Sequence, residues 1–321
     1  MIVLSDEQVI KAIDHASLVN VLALAFKRGA ETPLRMHNHL PGDDNAQLLL
    51  MPSWDGRDAI GVKVVAVAPS NRDRGRPTVD GVYVLMHGET GEPLAVLSAR
   101  ALTALRTAAV SALASSLLAR ADAKVLLMIG AGALAPYLVK SHLSVRPLDR
   151  IMLWGRNLQR ASDLADRLSE LAIDIEVAEH LPEALGEADI ISCATLSREP
   201  LIEGARLRPG CHVDLVGSFA PDMREADMDV FRRGRLVVDT GAAFDESGDL
   251  IAPLQAGVIS REAPDLAALL NSRGLGRRNP DEITVFKTVG TGLADLAVAR
   301  HIVSSVTAHD PAFFSGQRNI L

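Results

Sequence analysis

The sequence predicts an α/β protein, a doubly wound parallel sheet joined to a second α+β domain. Three observations carry that prediction. After Asp122, short β-branched apolar runs alternate with helix-like segments, the rhythm of parallel strands covered on both faces. Before Asp122, short strand-like runs follow one another and give way to a long stretch rich in Ala and Leu. The chain has 321 residues, too many for one comfortable core, so two domains are expected.

Composition narrows the function classes. Apolar residues at 48% and charged residues at 23% are ordinary for a soluble globular protein, and aromatics at 3% leave an aliphatic core. A net charge of -7 argues against nucleic acid or an anionic membrane as partner. Cys193 and Cys211 have neither metal spacing nor the density of a disulfide scaffold, so reduced thiols are expected. The start, "MIVLSDEQVIKAIDH", carries acids early and has no signal-peptide pattern. No apolar run reaches the roughly 18 residues of a membrane span, and a cytoplasmic protein is expected.

The elements follow in order. Ser5-Asp-Glu-Gln, then apolar residues at Val9, Ile10, Ile13, Leu18, Leu22 and Phe26, reads as one capped amphipathic helix. "AQLLLMPSW", "AIGVKVVAV" and "GVYVLMHGETGEPLAVL" read as strands, the last folded into a hairpin at Glu89, Thr90 and Gly91. "APSNRDRGRPTVD" is a polar loop whose charge cluster, Arg72 to Arg76, is solvated. Ser98 to Ala119 lacks breakers and reads as a long helix or a pair. Six strands follow, in "KVLLMIG", "RIMLWGR", "IDIEVAE", "ADIISCAT", "CHVDLVG" and "RLVVDT". "TGLADLAVARHIVSSVTAH" forms a last helix that packs back on the N-terminal part.

"KVLLMIGAGALAPYLVKSH" carries the clearest chemistry. An apolar strand runs into Gly130, Gly132 and Ala135 and then into a helix, the layout that seats a pyrophosphate on a helix N-terminus. Ala at the third position is a permitted variant, because only a small residue is needed where helix and strand pack. A tight glycine turn in an α/β protein without a nucleotide is the plainer reading, but the βαβ context favours a dinucleotide. The next strand ends "IMLWGRNLQRAS", with Arg156 and Asn157 where an acid would hold a ribose 2′-hydroxyl. A cation there suits a 2′-phosphate, so NADPH is expected, with NADH possible. A solvated surface arginine is the alternative.

Three cations sit in apolar or strand-like surroundings: Arg35 in "TPLRMHNHLP", Lys63 in "AIGVKVVAV" and Arg106 in "LTALRTAAVSA". Burying charge there is costly unless an anion answers it, whether a substrate or an internal salt bridge. His37 and His39 form an H-x-H without a third ligand, and no metal is expected.

Together "TPLR", "LLLMPSW", "GVKVV", "ALTALRTAAVSALA", "IGAGALA" and "KTVGTGLADLAVA" resemble the ornithine cyclodeaminase/mu-crystallin family over nearly the whole chain. The resemblance implies a Rossmann-type NADP-binding domain at 119–292. It also implies a substrate-binding and dimerisation domain from 1–118 with 293–321, hence a homodimer. It implies that Arg35, Lys63 and Arg106 hold the substrate carboxylate and that Met51 and Thr107 line the site. Gly130, Gly132, Ala133, Leu134, Arg156, Asn157, Thr195, Val216, Val289 and Gly290 would meet the cofactor, with Thr291 beside them.

Cyclodeaminases of the family carry a catalytic aspartate two residues after the glycine that Gly217 matches. Here Phe219 stands in that place, in "DLVGSFAPDMREAD", with Asp222 three residues on. That wording is similar to the cyclic-imine reductases of the family. The expected reaction is therefore NAD(P)H-dependent reduction of Δ1-pyrroline-2-carboxylate, or of Δ1-piperideine-2-carboxylate, to the cyclic L-amino acid. An ornithine cyclodeaminase, an alanine-dehydrogenase-like enzyme and a non-enzymatic NADPH-dependent small-ligand binding protein stay open as alternatives.

Overall fold

The computed structural model describes residues 1–41, 46–272 and 274–309, in two compact units, Met1–Arg106 with Thr291–Leu321 and Thr107–Gly290. In the first unit β1 (Ile2–Leu4) leads to Ser5, whose side chain and Gln8 form a capping box on α1 (Asp6–Lys11). The single helix expected here is two. The Asp14 carboxylate accepts from the Ser17 N–H at 2.9 Å and so starts a new helix, α2 (His15–Arg28), which ends at Gly29 with φ +78°.

Strands β2 (Met36–His39), β3 (Gln47–Asp55), β4 (Ala59–Val67), β5 (Val79–His87) and β6 (Pro93–Ser98) complete a six-stranded sheet in the order β1-β6-β5-β4-β3-β2. Only the β1–β6 pair is parallel. The β5–β6 hairpin turns at Gly91, with φ +70°. The polar loop between β4 and β5 contains a 3-10 turn, Pro69–Arg74, where Arg74 and Arg76 are exposed and the Arg72 side chain lies outside the described residues.

Ala99–Leu118 is a single helix, α3, and the division between units falls within it. By length and composition α3 could cross a membrane, contrary to the expectation that no apolar run is long enough. Its apolar window is 83% buried inside the protein, as a core helix is.

The second unit runs β7 (Val125–Ile129), α4 (Ala135–Leu143), β8 (Arg150–Trp154), α5 (Leu158–Leu168), β9 (Asp174–Val177), α6 (Leu181–Glu187), β10 (Ile190–Cys193) and β11 (His212–Leu215). It continues through α7 (Met228–Arg233), β12 (Gly234–Val238), α8 (Ala243–Glu246), α9 (Gly248–Gln255), α10 (Leu266–Asn271) and β13 (Ile283–Lys287). Its seven strands are all parallel, in the order β12-β13-β11-β10-β7-β8-β9. The sequence reading found six of them. It missed β13, "ITVFK", which is buried at every position between β12 and β11.

Alternate residues of each strand feed apolar layers on the two faces: Leu127, Ile129 and Val213 on one, Leu126, Met128 and Ile190 on the other. Arg146 closes the C-terminal end of α3, its Nη2 donating to the carbonyls of Ser115 and Ser116 at 2.8 Å and of Ala119 at 3.0 Å. The chain then returns to the first unit as α11 (Gly292–His309), packed on α2, β3 and β4. A Cβ on Gly292 would stand 3.1 Å from the Pro52 carbonyl oxygen, so glycine lets the first turn of α11 lie close on β3.

Candidate active site

The first unit gathers Lys63, Arg106 and Met51. Burial along β4 alternates, and Lys63 falls on the covered face with Ala59, Gly61 and Val65. Met51 on β3 and Tyr83 on β5 stand directly opposite Lys63, so the three side chains form one row across the sheet. The Tyr83 ring reaches over Gly61, where a Cβ would lie 1.8 Å from the phenol oxygen. That hydroxyl is buried and has no hydrogen-bond partner among the described residues.

The anion that answers the cations is Asp295, in the first turn of α11. Its Oδ2 lies 2.7 Å from Lys63 Nζ, and its Oδ1 accepts from Arg106 Nε at 2.9 Å. All three side chains are buried. The internal salt-bridge reading thus holds for Lys63 and Arg106, but only in part, since two cations share one carboxylate. Arg35, half-buried ahead of β2, is near enough for its charge to bear on Lys63.

Burial, then the Arg106 charge, push the Lys63 ammonium down to about 7, with Asp295 opposing. Burial alone would raise the Asp295 carboxyl, but Arg106 and Lys63 hold it below its ordinary value. The Tyr83 phenol is pushed up by burial and by Asp295. The arrangement is a buried cluster with more positive than negative charge, its ammonium pushed down to about 7. Such a group can bind a carboxylate and pass on a proton.

The second unit places the other predicted residues at the carboxyl ends of its strands. From β7 the chain steps outward to β8 and β9, then returns to β10 on the other side of β7, so the topological switch point lies between β7 and β10. Gly130, with φ +109°, stands there, and a Cβ on it would come within 2.6 Å of the Ala194 carbonyl oxygen. A Cβ on Gly132 would meet nothing within 4 Å, and Gly132 and Ala133 are exposed. In the first turn of α4 the N–H groups of Ala135 and Tyr137 donate to the Gly132 and Leu134 carbonyls at 3.2 and 3.1 Å, and Pro136 has none. The open turn at Gly132 and Ala133, beside the switch point, leaves room for a pyrophosphate, and the residues present fit a dinucleotide.

Arg156 and Asn157 follow β8. Arg156 is exposed, and the Asn157 side chain caps α5 by accepting from the Arg160 N–H at 3.1 Å. Thr195 follows β10, and Val216 follows β11. Val289 and Gly290 follow β13, where Asp239 Oδ2 accepts from both their N–H groups, at 3.0 and 2.7 Å, and from Thr288 Oγ1 at 2.6 Å. Phe219 is 43% exposed on the loop after β11. Asp222 is exposed and pairs with Arg198 at 3.0 Å. Thr107 is buried within α3. His37 and His39 lie on the exposed strand β2, His37 hydrogen-bonded to Gln47, and no metal-binding cluster occurs among the described residues. Cys193 and Cys211 are free and buried.

Sequence reasoning missed Asp295, Tyr83 and Asp239. Asp295 did carry a signal, as the one acid in the apolar stretch "TGLADLAVA".

The parallel sheet, its switch point and the glycine turn define a Rossmann-type α/β protein with a second, mainly antiparallel unit. The chain belongs to the ornithine cyclodeaminase/mu-crystallin family, whose model matches residues 1–310. It is 40% identical over 301 residues to Protein SAR DEFICIENT 4 of Arabidopsis thaliana, covering 90% of this chain and 92% of that protein. It is 37% identical over 288 residues to the Δ1-pyrroline-2-carboxylate reductase of Paracoccus denitrificans, covering 86% and 91%. Its fold matches that of Δ1-pyrroline-2-carboxylate reductase from Thermococcus litoralis in complex with NADH and L-proline. There the TM-score is 0.91, with 33% identity, over 96% of this chain and 98% of that one.

Proposed function

We propose that the protein reduces Δ1-pyrroline-2-carboxylate, and ring homologues such as Δ1-piperideine-2-carboxylate, to the cyclic L-amino acid with NADPH. One observation carries the reading beyond the likeness to named reductases. The buried cations Lys63 and Arg106 share one carboxylate, that of Asp295, which leaves positive charge there for a small carboxylate substrate.

The nicotinamide cofactor, when bound, supplies the hydride for the C=N carbon. This chain's residues do the rest. Arg106 is held through Nε by Asp295, so its Nη groups take the substrate carboxylate together with Arg35. That grip orients the ring for attack. Lys63, titrating near 7, donates the proton that the ring nitrogen gains as the C=N bond is reduced, and regains one from water. Phe219 stands where an ornithine cyclodeaminase of the family carries the acid that handles the ornithine ammonium, which favours the reductase reading.

Gly130, Gly132 and Ala133, in the turn before α4, hold the pyrophosphate, and Arg156 after β8 takes the 2′-phosphate, which supports NADPH over NADH. On this reading Thr107–Gly290 is the cofactor unit, and the first unit is the substrate and dimerisation unit. Exposed Val3, Leu24, Leu34, Met36 and Val82, all in the first unit, support a homodimer. The free, buried cysteines support a reducing, cytoplasmic setting.

The test is absorbance of the reduced nicotinamide with Δ1-pyrroline-2-carboxylate and NADPH or NADH in parallel. Fast oxidation favouring NADPH supports the whole reading. Oxidation favouring NADH removes the role given to Arg156. No oxidation with either cofactor overturns the reductase assignment, and ornithine is the next substrate to try.

A further inference from the structure

Behind the carboxyl ends of β10, β11 and β13 lies a second group of buried charges, with no part in the chemistry above. Glu225 has no solvent exposure. Its Oε1 accepts from the Thr195 N–H at 2.7 Å and from Thr195 Oγ1 at 2.9 Å, and its Oε2 accepts from the Gly217 N–H at 2.7 Å. One carboxylate therefore joins the loop after β10 to the loop after β11. The two loops meet so closely that a Cβ on Gly217 would lie 2.0 Å from the Thr195 carbonyl oxygen and 2.4 Å from Glu225 Oε1.

Glu225 is itself held from behind. Asp249 Oδ1 accepts from the N–H groups of Glu225 and Ala226, at 2.7 and 3.1 Å. Lys287, at the end of β13, donates to the Leu215 carbonyl at 3.2 Å and stands 3.7 Å from Asp249 Oδ2. Two buried acids and one buried base are an expensive way to fill a core, and a well-packed apolar cluster of similar volume is often as stable or more so. What the carboxylate does that an apolar side chain cannot is receive N–H groups from two loops at once.

We infer that Glu225 is a positioning residue for the nicotinamide cofactor, fixing the spacing of the Thr195 and Gly217 loops that floor its site. The inference rests on the proposed cofactor unit. The clamp works only as a carboxylate, because a protonated oxygen would point a donor at a donor. The groups facing Glu225 are Cys193 from β10, Asp249 from α9 and Lys287 from β13. Burial raises Glu225 to about 7, Lys287 opposing and Asp249 adding. Cofactor affinity should therefore weaken as pH falls below about 7.

Glu225→Gln keeps the volume but has one acceptor oxygen, so one loop loses its partner. Fluorescence titration of the wild-type protein and Glu225→Gln with NADPH, without substrate, should show the dissociation constant rising about tenfold in the variant. The KM for the imine should stay within about twofold, since that site is on other residues. Repeated from about pH 8 to 6 with NADH, which has no titrating 2′-phosphate, wild-type affinity should fall and the variant should stay flat. Thr195→Val, which removes only the hydroxyl donor, should raise the constant about threefold and serves if Glu225→Gln does not fold. An unchanged nucleotide affinity in either variant, with only a lower melting temperature, overturns the positioning role. Absence of nucleotide binding by the wild-type protein overturns the cofactor reading and this inference with it.

Discussion

Lys63 and Asp295 meet at 2.7 Å across β4 and the first turn of α11, and the same carboxylate also holds Arg106. The pair does more than neutralise charge. Burial and Arg106 push the Lys63 ammonium toward its neutral form, while Asp295 pulls it back, and the balance comes to rest at about 7.

Asp295→Asn tests that balance. Turnover that needs protonated Lys63 falls about tenfold per pH unit above about 7, and removing the charge that favours the ammonium moves the fall to lower pH. The pH profile of kcat/KM for the imine should shift downward by about one unit. An unmoved profile would show that Lys63 is not the acid.

Arg106→Ala should lower kcat/KM for the imine by about a hundredfold or more, because the proposed grip on the substrate carboxylate loses its main partner. Circular dichroism and gel filtration should show the fold retained. A folded variant that reduces the imine normally would sink the carboxylate role.

Arg156→Ala should cut kcat/KM for NADPH by about tenfold to a hundredfold and leave NADH within about threefold. Steady-state kinetics with both cofactors decide it. Equal losses for the two would mean that the exposed guanidinium does not read the 2′-phosphate.

Arg146→Ala strips the partner from three carbonyls at the end of α3, those of Ser115, Ser116 and Ala119. Unfolding in urea should show a loss of about 1–3 kcal/mol, with the KM for the imine unchanged. A loss under about 0.5 kcal/mol would mean that water replaces the guanidinium without cost.

What could be read in one dimension was whatever repeats or punctuates. The strand–helix alternation after Asp122, the hairpin at Gly91 and the glycine turn at Gly130 are local signals, and each stands in the structure as expected. The strand β13 escaped because Thr284 and Lys287, both fully buried, break its apolar run, so that it reads as half polar in sequence. The break between α1 and α2 escaped because apolar spacing continues through it. Only the Asp14 side chain, bonded to the Ser17 N–H, shows where the second helix starts.

The cations Lys63 and Arg106 were visible as charges in apolar company, but their partner was not. A salt bridge between β4 and α11 has no sequence spacing to betray it, so Asp295 stood out only as the one acid in an apolar stretch, with nothing to say which cations it meets. Glu225 was hidden for the same reason, its partners being backbone N–H groups that every loop possesses.

The placement of α11 also sets an order on how the chain can be made. A ribosome delivers β4 and α3 early, then the whole of Thr107–Gly290, and only afterwards the helix that carries Asp295. During synthesis the second unit has all its strands once Lys287 has emerged, whereas the first must wait with Lys63 and Arg106 lacking their counter-charge. A nascent chain halted before Thr291 would therefore leave the face of β3 and β4 that receives α11 uncovered, and that face is where a chaperone would have most to hold.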